Sequence, residues 1–291
     1  MQVVALLQTY NEQRFIARCI EHLSEQGVSV YLVDNESTDD TLAIAERHLG
    51  QGVIGVETLP RDGSFSLHTQ LRRKQELAQE LDADWFIHQD ADELRVSSER
   101  GRTLAQTLAA LDEAGYNAAN FLEFTFMPTR EQPNHEDGDF AATMRSYYSY
   151  VGKFPHRLNA WKRQDGPVEL ARQGGHRIRF PGLRMAPLSL YSRHYIFLSP
   201  EHAALKFGPG RYASEDLKAG WFNWRSRLDP ALIELPSEQE LLSYEADHLL
   251  DASNPRTHHI AAQWTRAAGA HDAPFKRVVA RGRRAARRLS G

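Results

Sequence analysis

Cysteine is almost absent. Cys19 is the only one in 291 residues, which excludes an intrachain disulfide framework. Long apolar runs are missing too: none approaches the roughly 20 residues a helix needs to cross a bilayer. The opening MQVVALLQTY has no basic stretch and passes straight into strand-like sequence, so no secretory leader is expected and the chain reads as cytoplasmic. Glycine is lacking where a phosphate loop would need it. Gln8-Thr9-Tyr10-Asn11, after the first apolar run, contains none, which argues against a dinucleotide-binding dehydrogenase or a nucleotidyltransferase.

Net charge is also small, −3 from 35 basic and 38 acidic side chains, but it is unevenly spread. Residues 275–291 (FKRVVARGRRAARRLSG) hold seven basic side chains and no acidic one, leaving −10 on the rest. An acidic body gives no reason to expect a nucleic acid partner. The tail reads either as a solvated basic end or as an amphipathic helix making peripheral contact with an anionic bilayer at the inner membrane face. Gly282, in the middle of its apolar stripe, weakens that helix by about 1 kcal/mol relative to alanine.

What is present is alternation. Val3–Leu7, Val28–Val33, Val53–Val56 and Trp85–His88 are short apolar runs of the kind buried on both faces of a parallel sheet. Between them lie helical patterns: Phe15, Ile16, Cys19, Ile20 and Leu23 on one face, ended by Gly27; a helix to about His48 with Ser37 and Thr38 as N-cap candidates; and Leu67–Leu81. Such alternation implies right-handed βαβ units. A further strand is predicted over Ala119–Met127, and shorter ones near Leu158–Trp161, His176–Phe180 and Leu190–Phe197. Ser237-Glu238-Gln239-Glu240 is a capping box that predicts a helix running towards Leu249 and Leu250.

Polar clusters follow three of these strands. Thr9-Tyr10-Asn11-Glu12 follows the first, Asp34-Asn35-Glu36-Ser37-Thr38-Asp39-Asp40-Thr41 the second, and Asp90-Ala91-Asp92-Glu93 the fourth. Parallel strands bring all three to one edge, where open α/β sheets bind ligands. Two carboxylates two residues apart at such an edge suit one hard divalent cation, Mn²⁺ or Mg²⁺.

Taken together and in this order, the three motifs resemble glycosyltransferase family 2. The run Asp84-Trp85-Phe86-Ile87-His88-Gln89-Asp90-Ala91-Asp92-Glu93 is most similar to a bacterial subgroup with a DADE signature. The resemblance covers residues 1–95 and extends more weakly to Arg193-His194-Tyr195, Ser199-Pro200-Glu201 and Lys206. It implies a GT-A-like α/β fold: a mostly parallel central sheet with flanking helices, plus a helical C-terminal extension. The expected division is a nucleotide-sugar-binding half at 1–115, an acceptor-side half of the same domain at 116–228, and an extension with the basic tail at 229–291.

The function implied is metal-dependent, inverting transfer of a sugar from a UDP- or GDP-linked donor to a hydroxyl of a glycan, lipid-linked or small-molecule acceptor, as in cell envelope polysaccharide synthesis. By the resemblance, Thr9, Tyr10, Asp34 and Asn35 line the nucleotide pocket, with Asn35 standing where many members carry a second aspartate. Arg72 or Arg73 faces the nucleotide or diphosphate, Asp90 lies near ribose and metal, and Asp92 ligates the metal. His194, with His176 behind it, is the expected late histidine at the metal. Glu215 and Asp216 are the candidates for the base that inversion requires, with Glu169 as the fallback; the same pair also reads as first-turn acids of a helix. Two rival readings are a haloacid-dehalogenase-like phosphatase, whose motif closes the first strand rather than the fourth, and a catalytically degenerate nucleotide-sugar-binding domain.

Overall fold

The computed structural model describes residues 1–61, 63–245 and 250–266. In chain order the elements are β1 (Val3–Thr9), α1 (Ile16–Glu25), β2 (Ser29–Asp34), α2 (Thr41–Arg47), β3 (Val53–Thr58), α3 (Leu67–Glu80), β4 (Trp85–Asp90), β5 (Glu93–Val96) and α4 (Leu104–Glu113). There follow β6 (Ala118–Phe126), α5 (Phe140–Thr143), β7 (Ser146–Tyr150), β8 (Arg157–Lys162), β9 (Leu190–Tyr195), α6 (Pro200–Lys206), α7 (Ser214–Lys218) and β10 (Leu242–Ser243). They form one mixed sheet in the order β10-β7-β6-β8-β4-β1-β2-β3, with β9 pairing β6 and β5 off that path.

The first four strands are parallel, as the apolar runs predict: β1 lies between β2 and β4, and β3 flanks β2. β8 then runs antiparallel to β4 and β6, which carries the sheet from the first half of the chain into the second. β9 runs parallel to β6 and antiparallel to β5, with Glu93 opposite His194. The two halves therefore share one sheet.

Strand β1 shows how the sheet is held. Val3, Ala5 and Leu7 pack with Phe15, Cys19, Ile20 and Leu23 on the α1 side, while Val4 and Leu6 pack with Leu67, Leu71 and Leu77 on the α3 side. Period-two alternation thus feeds two cores, and each fully buried aliphatic contributes about 1.5–3 kcal/mol. Gly27 ends α1 at φ 72°, in the left-handed region that glycine enters without strain. A third apolar cluster, with Phe197, Phe207 and Trp264, sits under the late loops.

Several local expectations change. Ser37 and Thr38 do not cap α2, whose N-cap is Asp40; they bond Asn11 across the strand ends instead, and Asp39 receives the Thr41 amide. His176–Phe180 makes isolated bridges rather than a strand. The capping box at Ser237 and Glu240 forms, yet it closes only one 3-10 turn, because Leu242 and Ser243 next pair with β7. Among the described residues after 229 the helical structure is 3-10 turns, and the basic tail at 275–291 lies outside the described residues. Among the described residues no helix is long and apolar enough to cross a membrane.

Burial of histidine gives the fold a pH signature. His22 and His202 are held at about 3 by burial, His259 likewise, and His88 well below its ordinary value, so all four fold as neutral rings. The unfolded chain takes up protons near pH 6.5 that the folded one refuses, so stability falls as pH drops below that value. His194, raised to about 9, acts oppositely, contributing stability below pH 6.5 that is lost on passing through 9. The unfolding free energy is expected to fall between pH 7.5 and 5.5, by up to about 1.4 kcal/mol for each buried ring, and the urea midpoint with it. An unchanged midpoint would contradict this.

Candidate active site

The three polar clusters meet at one sheet edge beside a cavity of about 810 Å³. At the β1 end the chain turns through Asn11, which sits at φ 55° and is held there by bonds between its side chain and the Thr38 amide and hydroxyl. This puts Thr9, Tyr10 and Glu12 on the cavity wall, with the Arg61 guanidinium 3.5 Å over the Tyr10 ring. Asp34 is buried and accepts from the Thr9 hydroxyl (3.1 Å), the Ser37 amide (2.8 Å) and the Ser37 hydroxyl (2.6 Å). Asn35 donates to the Leu59 carbonyl and accepts from Gln70. Both therefore brace the edge and stand behind the wall rather than on it.

Asp90 and Asp92, at the end of β4, face the cavity. Asp92 Oδ2 lies 2.9 Å from Lys206 Nζ and 3.4 Å from His194 Nε2. Burial alone would raise its pKa, but those two cations outweigh burial and hold it well below the usual carboxylate range. Burial raises Asp90, and Glu93 nearby adds to the effect. Burial likewise lifts Glu12 to about 7, against the pull of Lys206 3.3 Å away.

His194 comes from β9, and its two nitrogens are used differently. Nδ1 is 2.7 Å from Glu123 Oε1, and Nε2 points at Asp92. Burial would lower its pKa, but the charges of Glu123 and Asp92 raise it to about 9. Glu123, on β6 and wholly buried, also accepts from Arg157 Nε and Nη2 (3.0 and 2.9 Å), from Thr125, and pairs with His156 at 2.9 Å. Arg157 reaches on to Glu93, and Glu93 in turn pairs with Arg95. A charged lattice under the cavity floor thus fixes the direction of the His194 ring.

Beneath Asp90, Lys74 is fully buried, donates to the Gln89 carbonyl at 3.0 Å and lies 2.8 Å from His88 Nδ1. Burial brings it down to about 7. Gly175 is required beside this pair: a Cβ there would stand 2.6 Å from His88 Nε2, and its φ of 81° is left-handed. The next residue, His176, also lines the cavity.

The opposite wall is aromatic. Tyr212 and Phe222 stack with centroids 4.3 Å apart, Phe65 meets both edge-on, and Trp221 and Trp224 continue the surface.

Five more of the expected residues lie elsewhere. Arg73 is tied on the outer face of α3 to Glu57, Glu76 and Glu80, and Arg72 is exposed beside it; neither lines the cavity. Asp216 is buried with its carboxylate accepting from the Leu67 (2.7 Å) and His68 (3.4 Å) amides, and Glu215 accepts from the Ser66 hydroxyl. Both acids serve the N-terminus of α3, whose free amides draw them there. Asp216 is therefore corrected from base to cap. Asp216→Asn is expected to lower stability by about 1 kcal/mol while turnover persists, checked by thermal melting and a transfer assay. Glu169 bonds the Arg172 amide and is not on the cavity wall.

A hard divalent ion suits the donors present. A carboxylate oxygen of Asp92 and an imidazole nitrogen of His194 converge, Asp90 adds a second carboxylate, and Glu123 orients the imidazole from behind as outer-shell carboxylates do. Among the described residues no group of three or more such side chains is arranged to hold a metal unaided. Remaining positions would fall to water and substrate phosphate.

Comparison with known proteins agrees with this edge. Residues 5–94 match the model of Glycosyl transferase family 2, and that stretch holds all three strand-end motifs. It is 30% identical over 159 residues to an uncharacterized glycosyltransferase of Rickettsia felis, covering 55% of this chain and 52% of the relative. A second, from Rickettsia conorii, is 28% identical over the same shares. The chain thus spans about half the length of the curated relatives it matches. Among solved structures it resembles S. aureus TarS 1-349 in complex with UDP at 13% identity and TM-score 0.39, over 68% of this chain and 61% of that one.

Proposed function

We propose that the chain is a metal-dependent, inverting glycosyltransferase that moves a sugar from a nucleotide-sugar donor to an acceptor hydroxyl. The observation that carries this reading is the convergence of Asp90, Asp92 and a Glu123-oriented His194 on one cavity wall beside Thr9 and Tyr10. Asp92 and His194 would hold Mn²⁺ or Mg²⁺, with Asp90 alongside. When bound, the ion supplies neutralisation of the charge that develops on the diphosphate as it leaves. Thr9 and Tyr10 border the donor, and the Tyr10–Arg61 stack closes that side.

Inversion requires a base for the acceptor hydroxyl. Of the cavity carboxylates, Glu12, raised to about 7 by burial, is best matched in basicity to neutral pH and takes that role from Asp216 and Glu215. The aromatic wall of Tyr212, Trp221, Phe222 and Trp224 supports a sugar ring as acceptor, since flat apolar faces with a few polar groups suit its C–H face.

Calorimetry with UDP- and GDP-sugars, with and without Mn²⁺, followed by turnover on a glycan acceptor panel, tests the reading. Mn²⁺-dependent binding of one donor class and release of its nucleoside diphosphate is the expected result. Binding without turnover across the panel would favour a degenerate binding domain, and no nucleotide binding would reject the proposal.

A further inference from the structure

Among the described residues, Lys206 is the one on the cavity wall whose charge is directed at both acidic strand ends at once. It closes α6, from the second half of the chain, and its ammonium reaches across to Asp92 Oδ2 (2.9 Å) and Glu12 Oε2 (3.3 Å), which follow β4 and β1. Its Nζ stands over the Phe15 ring, 4.6 Å from the centroid, and its side chain keeps 16% exposure at the cavity. The oxygen it occupies on Asp92 is also the one nearest His194 Nε2. A divalent ion between Asp92 and His194 and an ammonium on that oxygen compete for the same charge.

We infer that Lys206 is a donor-phosphate-binding residue held in reserve: without donor it neutralises Asp92 and Glu12, and when metal and diphosphate enter it leaves Asp92 for a phosphate oxygen. The reasoning is one of charge. Two carboxylates facing each other across a cavity need a cation, and Lys206 supplies it. A metal on Asp92 displaces that duty, and a freed ammonium on a flexible four-carbon stem then meets the only new anion present, the diphosphate. Arg14, Arg61, Arg211 and Arg225 also line the cavity. Arg14 is taken by Glu136 and Arg61 lies on Tyr10, so neither is placed to replace Lys206 at Asp92.

This inference rests on the transferase reading, and its test separates the two. Full-length wild type, Lys206→Met and Lys206→Arg are titrated with Mn²⁺ alone, and then with UDP and GDP at saturating Mn²⁺. Lys206→Met is expected to bind Mn²⁺ about tenfold more tightly, because its competitor is gone, and the nucleoside diphosphate about tenfold more weakly, because a charge-assisted contact is lost. Lys206→Arg should keep both affinities near wild type. Opposite movement of the two affinities is something a merely loosened fold does not produce. If both weaken together, or neither changes in Lys206→Met, the inference is overturned. If the wild type binds neither Mn²⁺ nor either nucleotide, the transferase reading itself has failed.

Discussion

Asp92→Asn is expected to reduce turnover by about 10²–10³-fold with the fold intact, because one change removes charge from the point where three groups meet. The amide keeps the shape of Asp92 but no longer attracts Lys206 or the His194 Nε2 edge, which lie 2.9 and 3.4 Å from its Oδ2. His194 then loses one of the two charges that raise it, and a divalent ion loses its carboxylate anchor. Lys206 retains Glu12 as a partner, so the cavity keeps its shape. Turnover at saturating donor, with far-ultraviolet circular dichroism as the fold control, is the measurement; activity within tenfold of wild type would remove Asp92 from the mechanism.

Glu123→Gln is the second large effect, and it falls on stability first. Glu123 is fully buried and serves Arg157 through two nitrogens, His156, His194 and Thr125. A neutral amide leaves Arg157 leaning on Glu93 alone and presents an N–H to groups that are themselves donors. Breaking a buried charge network from one side costs about 3–5 kcal/mol, which lowers the melting temperature by about 10 °C in a chain of this size. Mn²⁺ affinity should fall too, by about 10–100-fold, since the group that orients His194 is gone. A melt unchanged within about 2 °C, a shift worth less than about 1 kcal/mol, would mean that the network does not hold the floor.

The parallel half of the molecule was legible because its central strands β1 and β4 are buried on both faces and write themselves as apolar runs. Val3–Leu7 and Trp85–His88 need no partner to be recognised, and the motifs that follow them fall at one edge by topology alone. The second half is written in a different hand. Strand β5 is Glu-Leu-Arg-Val and β7 is Ser-Tyr-Tyr-Ser-Tyr, sequences whose burial depends on partners far along the chain. Helix α4, capped by Thr103 and Gln106, was equally easy to pass over beside the acidic motif.

Glu123 gave one usable signal, a lone acid inside the mostly apolar strand Ala118–Phe126. Lys74 gave none, since a lysine on an amphipathic helix ordinarily faces solvent. Asp216 illustrates the opposite error. An acidic pair before a short helix fits catalysis and capping alike, and only the position of the α3 amides, about 150 residues earlier in the chain, decides between them.

Strand β9 has a consequence for how such a site comes into being. It lies parallel to β6 and antiparallel to β5, and its register sets Glu93 opposite His194 and Thr125 opposite the same residue. A slip of one position would turn His194 to the other face of the sheet, away from Asp92 and Glu123 alike. The strands it joins are distant in sequence, so this pairing closes large loops and forms late in assembly. Competence to bind would then be the last property acquired: a chain with correct cores but a misplaced β9 would look folded by most measures and have no site.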